Sequence, residues 1–303
     1  MIIFSLNQHG YVVAEERYTE RIFSHNKQIM EQFIRVKRLQ GLSEETLRGY
    51  SGTLRNLSRG LGKRYEDMST HDIRNYLADY QVVHKIKNQT LDDIRLTLSS
   101  FYNYLEEEDI VLKNPVRKIH KIKSETTIQH PFTDEEIIRI QDACVGIREL
   151  ALVDFLNSSG VRVSELCRLD KTDINLKNRE GIVFGKGSKE RIIYFDARTK
   201  IHLEKYLETR KDSNPSLFVT NIEPHNRLTK SGLEYIIARI GKRAGISKCH
   251  PHRFRRTFAT RLIDRGMPIE QVQKLLGHTK IETTLIYSQV KQENIKYSHS
   301  KFV

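Results

Sequence analysis

The side chains in this chain best suited to chemistry are ones that could bind and cleave a phosphodiester. In Ser159-Gly160-Val161-Arg162-Val163-Ser164-Glu165-Leu166, Arg162 follows a glycine turn and can offer a planar, two-pronged donor to a phosphate. Glu165, one turn later, can orient it; the other reading is a surface Arg–Glu pair. In the helix opened by Pro251, Phe254, Phe258 and Leu262 recur at i, i+4 and i+8 and face a core, which leaves His252 and Arg255 on a different face. An i, i+3 pair can converge on one phosphate, with Arg255 neutralising a non-bridging oxygen and His252 donating to it or assisting proton transfer. The other reading is a basic helix whose Arg253, Arg256 and Arg261 touch a nucleic-acid backbone. Lys186 and Lys189 sit in a glycine-rich turn, Gly185 to Glu190. Tyr287 stands nine residues after His278, past the helix break at Gly277. Tyrosine, with an ordinary pKa of about 10, needs nearby cations to act as a nucleophile. Tyr297 is the rival by proximity, and core packing is the alternative role for Tyr287.

The composition agrees with a polyanionic target. Lys and Arg number 51 against 38 Asp and Glu, a formal charge of +13 with an isoelectric point near 9.5. That makes nucleic acid the first candidate partner and an anionic membrane the second. The excess is uneven: net charge is +4 over residues 1–123, zero over 124–239 and +9 over 240–303, so the last stretch should face the polyanion. No apolar run approaches the ~18 residues needed to cross a bilayer, and Met1 to Gly10 lacks a basic flank and cleavage site, so a cytoplasmic protein without membrane partners is expected. Cys144, Cys167 and Cys249 are too widely spaced for a disulfide framework or a zinc site and read as small core residues. Neither a Walker-type loop nor HExxH is present, so phosphoryl chemistry must come from side chains, with no cofactor or metal implied.

These groups need a scaffold, and 303 residues suggest two domains. The first reads as a four-helix module over 1–117, with a short extension over 1–25. One helix lies around Gln28 to Leu39, and a second is capped by Ser43 and carries Leu47, Tyr50, Leu54 and Leu57. A third is capped by Thr70 and carries Ile73, Tyr76, Leu77 and Tyr80, and a fourth carries Leu91, Ile94, Leu98, Phe101, Tyr102 and Leu105. The module ends near Asn114-Pro115. Residues 118–130 read as an exposed linker. A second domain, 131–303, starts with the capping box Thr133 to Glu136, has a helix from Arg148 to about Ser158 that stops at Gly160, and holds a β-hairpin around Gly185 to Glu190. The fold class expected is mainly α with a small β-hairpin.

Ser159 to Leu166, Gly185-Lys186-Gly187, His252 to Arg255, Leu276-Gly277-His278 and Tyr287, in this order and spacing, together resemble the tyrosine recombinase (phage integrase) family. The resemblance spans about Thr133 to Val290 and, more loosely, the helical module with its Asn114-Pro115-Val116 ending. It implies a helical core-binding domain and a catalytic domain of the DNA breaking-rejoining fold, which together clamp a duplex. It also implies the catalytic set Arg162, Lys186, His252, Arg255, His278 and Tyr287, supported by Glu165. Lys186, 24 residues after Arg162, would protonate the leaving oxygen, with Lys189 as its rival. Many family members carry His where this chain has Arg256. The activity implied is site-specific recombination of double-stranded DNA through a 3′-phosphotyrosyl link and a Holliday junction, without metal or nucleotide. Its partners would be DNA bearing specific sites, a homo-tetramer assembled on it, and accessory DNA-bending proteins. A tail over 288–303 is expected to dock on a neighbouring protomer. A type IB topoisomerase and a non-catalytic DNA-binding protein remain the alternatives.

Overall fold

The computed structural model describes residues 8–124, 130–185 and 190–277, with side chains from Thr19 onward. Lys186, Lys189, His278, Tyr287, Tyr297 and the tail lie outside these residues. The chain divides into two compact units, Met1–Thr127 and Ile128–Val303. The described residues are mostly helical, with one small sheet.

The first unit packs α1 (Gln8–Leu39), α2 (Glu44–Leu61), α3 (Thr70–His84) and α4 (Asn88–Glu107). Their apolar stripes meet in one core that includes Phe33, Leu47, Leu54, Ile73, Leu98, Phe101 and Tyr102. The buried phenols are satisfied by backbone, Tyr65 Oη donating to Leu54 O at 2.8 Å and Tyr102 Oη to Tyr65 O at 3.0 Å. Two sequence expectations need correction here. The first helix starts at Gln8 rather than near Gln28, and the sequence from Gln8 to Lys27 contains no proline to stop it. The third helix is capped by Ser69, not Thr70: Ser69 and Asp72 form the reciprocal capping box, which requires an acid three residues on. Thr70 instead donates to Pro115 O at 2.7 Å, fastening the end of the module. Asn114 explains that ending, since its Oδ1 accepts from Val116 N while its Nδ2 donates to Ser99 O and Asn103 Oδ1. Beyond it the chain stays tied to this unit: Ile119 and Ile122 pack on the core, and Ile122 N donates to the buried Asp92.

In the second unit, α5 (Asp134–Asp142) opens with the Thr133–Glu136 capping box, and α6 (Ile147–Ser159) follows. Ala151 through Leu156 are all buried, so α6 is a central core helix rather than an amphipathic surface one. Its one buried acid, Asp154, is met by His202 at 2.6 Å and Gln141 at 2.5 Å. The short α7 (Val163–Leu166) leads into an antiparallel sheet of β1 (Ile174–Asn175), β2 (Glu180–Phe184) and β3 (Glu190–Tyr194), in that spatial order. The expected hairpin is therefore the larger part of a three-stranded sheet, with Gly181 paired to both Ile174 and Ile193. Two residues of β1 are too short a run to register as a strand in sequence. Among the described residues four more helices follow, α8 (Ala197–Glu208), α9 (Lys230–Arg243), α10 (Pro251–Asp264) and α11 (Ile269–Leu276). Among the described residues no helix is long and apolar enough to cross a membrane.

Candidate active site

Two glycines set the geometry. Gly160 ends α6 in the left-handed conformation (φ 59°), and a Cβ there would lie 2.3 Å from the Phe258 ring. The chain therefore turns tightly over α10 and delivers Arg162 in extended conformation at the head of α7. Gly277 ends α11 in the same way (φ 63°), and a Cβ there would lie 2.8 Å from Arg191 Cδ.

Between these turns three arginines meet the end of α11. Arg191 donates Nη1 to Leu275 O at 2.7 Å, Arg255 donates Nη2 to Leu276 O at 2.6 Å, and Arg162 donates Nη2 to Gly277 O at 2.9 Å. These are carbonyls that a helix end leaves without intrahelical partners, at the negative pole of its dipole, so cations are favoured there. Glu165 is the counter-charge within the group. It accepts from Arg162 N and Nη1 (both 2.8 Å) and from Arg191 Nη2 (2.6 Å). Burial pushes its carboxyl up, but Arg191 and Arg162 outweigh that and hold it below the usual carboxylate range. One carboxylate among three guanidiniums leaves the cluster cationic.

The sequence-predicted residues occupy this cluster unequally. Arg162 keeps about a third of its side chain exposed (34%), whereas Arg255 is buried and also donates Nη1 to Gly160 O at 2.7 Å. Arg255 thus joins the two glycine turns. Arg255→Ala would leave Gly160 O and Leu276 O without these donors, and buried acceptors left unsatisfied cost about 1 to 3 kcal/mol each. We therefore expect this substitution to lower the melting temperature by several degrees, read by calorimetry, besides any effect on catalysis.

His252, on the first turn of α10, faces solvent. Desolvation of the ring against α10 first, then the charges of Arg255, Arg256, His250 and Arg162, hold its imidazole below the usual range. The alternative reading of α10 made Arg253, Arg256 and Arg261 contacts to a nucleic-acid backbone. Arg253 stacks on the Phe132 ring at 4.0 Å and pairs with Glu136 at 2.8 Å. Arg261 binds Asn157 and Asp134. Both fasten α10 to the start of the unit.

Arg191 is the site residue that sequence reasoning missed, since it opens an apolar run read only as a strand. The available signal was its register: it shares the inward face of β3 with the buried Ile193, a position where an arginine needs a reason. The three cysteines are free thiols, Cys249 buried and the others half-buried. Burial pushes Cys144 up to about 12 and Cys167 and Cys249 up to about 11, which keeps them protonated. Among the described residues no group of three or more His, Cys, Asp or Glu side chains is placed to hold a metal ion.

Comparison with known proteins adds to this geometry. Residues 133–294 match the family model described as the phage integrase family, and residues 29–111 match that of the phage integrase N-terminal SAM-like domain. The chain is 33% identical over 266 residues to the tyrosine recombinase XerC of Staphylococcus saprophyticus, covering 84% of this chain and 89% of that one. It is 32% identical to XerC of Staphylococcus aureus strain RF122 over 281 residues, covering 88% and 94%. Among solved structures, the XerA recombinase is similar with a TM-score of 0.52 at 25% identity, over 91% of this chain and 98% of that one. The Tn1549 transposon integrase in complex with a circular intermediate DNA aligns with a TM-score of 0.73 over 91% and 99%, and at 19% identity this speaks for the fold alone.

Proposed function

The chain belongs to the phage integrase family and is a tyrosine site-specific recombinase, and from that premise we propose that its reaction is carried by Arg162, Lys186, His252, Arg255, His278 and Tyr287, with Glu165 in support. The substrate is double-stranded DNA, which the net charge of +13 suits. The observation that carries this assignment is the cationic cluster at the end of α11, a set of preoriented donors of the kind that stabilises charge developing on a phosphate. The chain runs from that cluster directly into His278.

In the proposed step the Tyr287 hydroxyl oxygen bonds to the scissile phosphorus and passes its proton to the His252 imidazole. The bond from phosphorus to the 5′ oxygen breaks, and that oxygen takes a proton from Lys186. The products are a 3′-phosphotyrosyl ester and a free 5′ hydroxyl. Arg162 and Arg255 neutralise the non-bridging oxygens, while His278 and His252 donate hydrogen bonds or move protons. A 5′ hydroxyl from a partner strand reverses the step, so bond energy stays in the ester and no nucleotide is consumed. Four protomers on two sites, with or without accessory DNA-bending proteins, would carry two such exchanges through a Holliday junction in the cytoplasm.

Capturing the protein's covalent DNA adducts from the genome of its host and mapping them tests this reading. Adducts at a few discrete sites, with exchange between two such sites in vitro, are expected. Scattered adducts, with relaxation of a plasmid lacking any such site, would instead mark a topoisomerase. The role of Lys186 has its own check. Lys186→Ala should recover cleavage when the leaving 5′ oxygen is replaced by sulfur, because a thiolate departs without a proton. Failure to recover would move the role to Lys189.

A further inference from the structure

Glu165 receives two arginines, and Arg162 is the more exposed of them. Arg162 is a third exposed, whereas Arg191 is 9% exposed and Glu165 2%. Arg191 has one terminal nitrogen on Glu165 Oε2 and the other on Leu275 O, and its buried Nε meets no hydrogen-bond acceptor among the described residues. A buried guanidinium with an unmatched N–H is expensive to keep, and on the inward register of β3 a leucine or methionine would fill the space without that penalty. Arg191 supplies two things that an apolar residue cannot. Its charge shares Glu165, so the carboxylate is not neutralised by Arg162 alone. Its second nitrogen ties β3, which follows Lys186 in the sequence, to the last turn of α11, which precedes His278.

We propose that Arg191 is a positioning residue for strand cleavage: it shares Glu165 so that the charge of Arg162 stays available to the scissile phosphate, and it holds the α11 terminus in register with the sheet. This rests on the reading of Arg162 as a phosphate ligand. Arg191 itself touches no substrate.

The test measures binding and cleavage for the parent, Arg191→Gln, Arg191→Lys and Arg162→Ala on two nicked substrates. One carries the ordinary scissile phosphodiester. The other carries a methylphosphonate there, which has no anionic oxygen to neutralise. Arg191→Gln should bind both like the parent and cleave the phosphodiester on the order of tenfold to a hundredfold more slowly, below the loss of a direct donor. On the methylphosphonate its deficit should largely vanish, and Arg191→Lys should recover part of the phosphodiester rate by restoring charge beside Glu165. An equal deficit on both substrates means a merely structural role and overturns the proposal, as does cleavage of the phosphodiester at the parent rate. Should Arg191→Gln fail to melt cooperatively, Arg191→Lys carries the test. A lysine cannot hold Glu165 and Leu275 O in the same fork, so a smaller phosphodiester-specific deficit is expected, and its absence overturns the proposal. If Arg162→Ala cleaves the phosphodiester like the parent, the reading of the site fails. If Arg162→Ala is slow while Arg191→Gln is not, only the role of Arg191 fails.

Discussion

Tyr287→Phe is expected to bind DNA with the parent's affinity and to yield no covalent complex on a nicked suicide substrate, even after prolonged incubation. The substitution removes one oxygen and keeps the ring, so packing and charge are unchanged while the nucleophile is gone. A mobility-shift titration reads the affinity, and a denaturing gel reads the protein–DNA band. The expected loss is complete because no other group on the chain is assigned the attack, and it is the largest effect the proposed site implies. A surviving covalent band would mean that another hydroxyl, Tyr297 first, is the nucleophile.

The second largest effect belongs to Arg162. Arg162→Ala should cut the cleavage rate roughly a hundredfold to a thousandfold, the range for removing one preoriented donor from a charged transition state. Binding should change little, since many other contacts hold a duplex. The fold should survive as well. Glu165 remains paired with Arg191 at 2.6 Å, so no buried carboxylate is abandoned, and the lost Gly277 contact comes from a partly exposed side chain. This separates Arg162 from Arg255, whose removal leaves buried carbonyls without donors and should lower stability too. Single-turnover cleavage beside thermal melting distinguishes the two, and equal losses of cleavage and binding in Arg162→Ala would reduce it to an ordinary backbone contact.

Much of the scaffold was legible because helical periodicity is a local signal. Leu47, Leu54 and Leu57, or Leu91, Leu98 and Leu105, recur on one face whatever the rest of the chain does, and those faces form the core of the first unit. The Arg162–Glu165 pairing was legible for the same reason, being an i, i+3 contact across one turn. What sequence reasoning did not resolve depends on distant partners. The acids that pair with Arg253 and Arg261, Glu136 and Asp134, come from the other end of the unit. Arg191 looked like the polar start of a strand, and only the approach of α11 turns it into the second ligand of Glu165. The Ser69 cap falls between these cases. The box spacing to Asp72 was present in the sequence, but the adjacent Thr70 offered a similar hydroxyl.

The central claim is that Tyr287 forms the covalent bond to DNA, and identifying that bond tests it most directly. The protein is trapped on a suicide substrate, the complex is digested with protease and nuclease, and the peptide bearing the residual nucleotide is sequenced by mass spectrometry. The account predicts one modified peptide, with Tyr287 esterified through a 3′ phosphate. Modification of Tyr297 or any other residue, or a link through a 5′ phosphate, would contradict it.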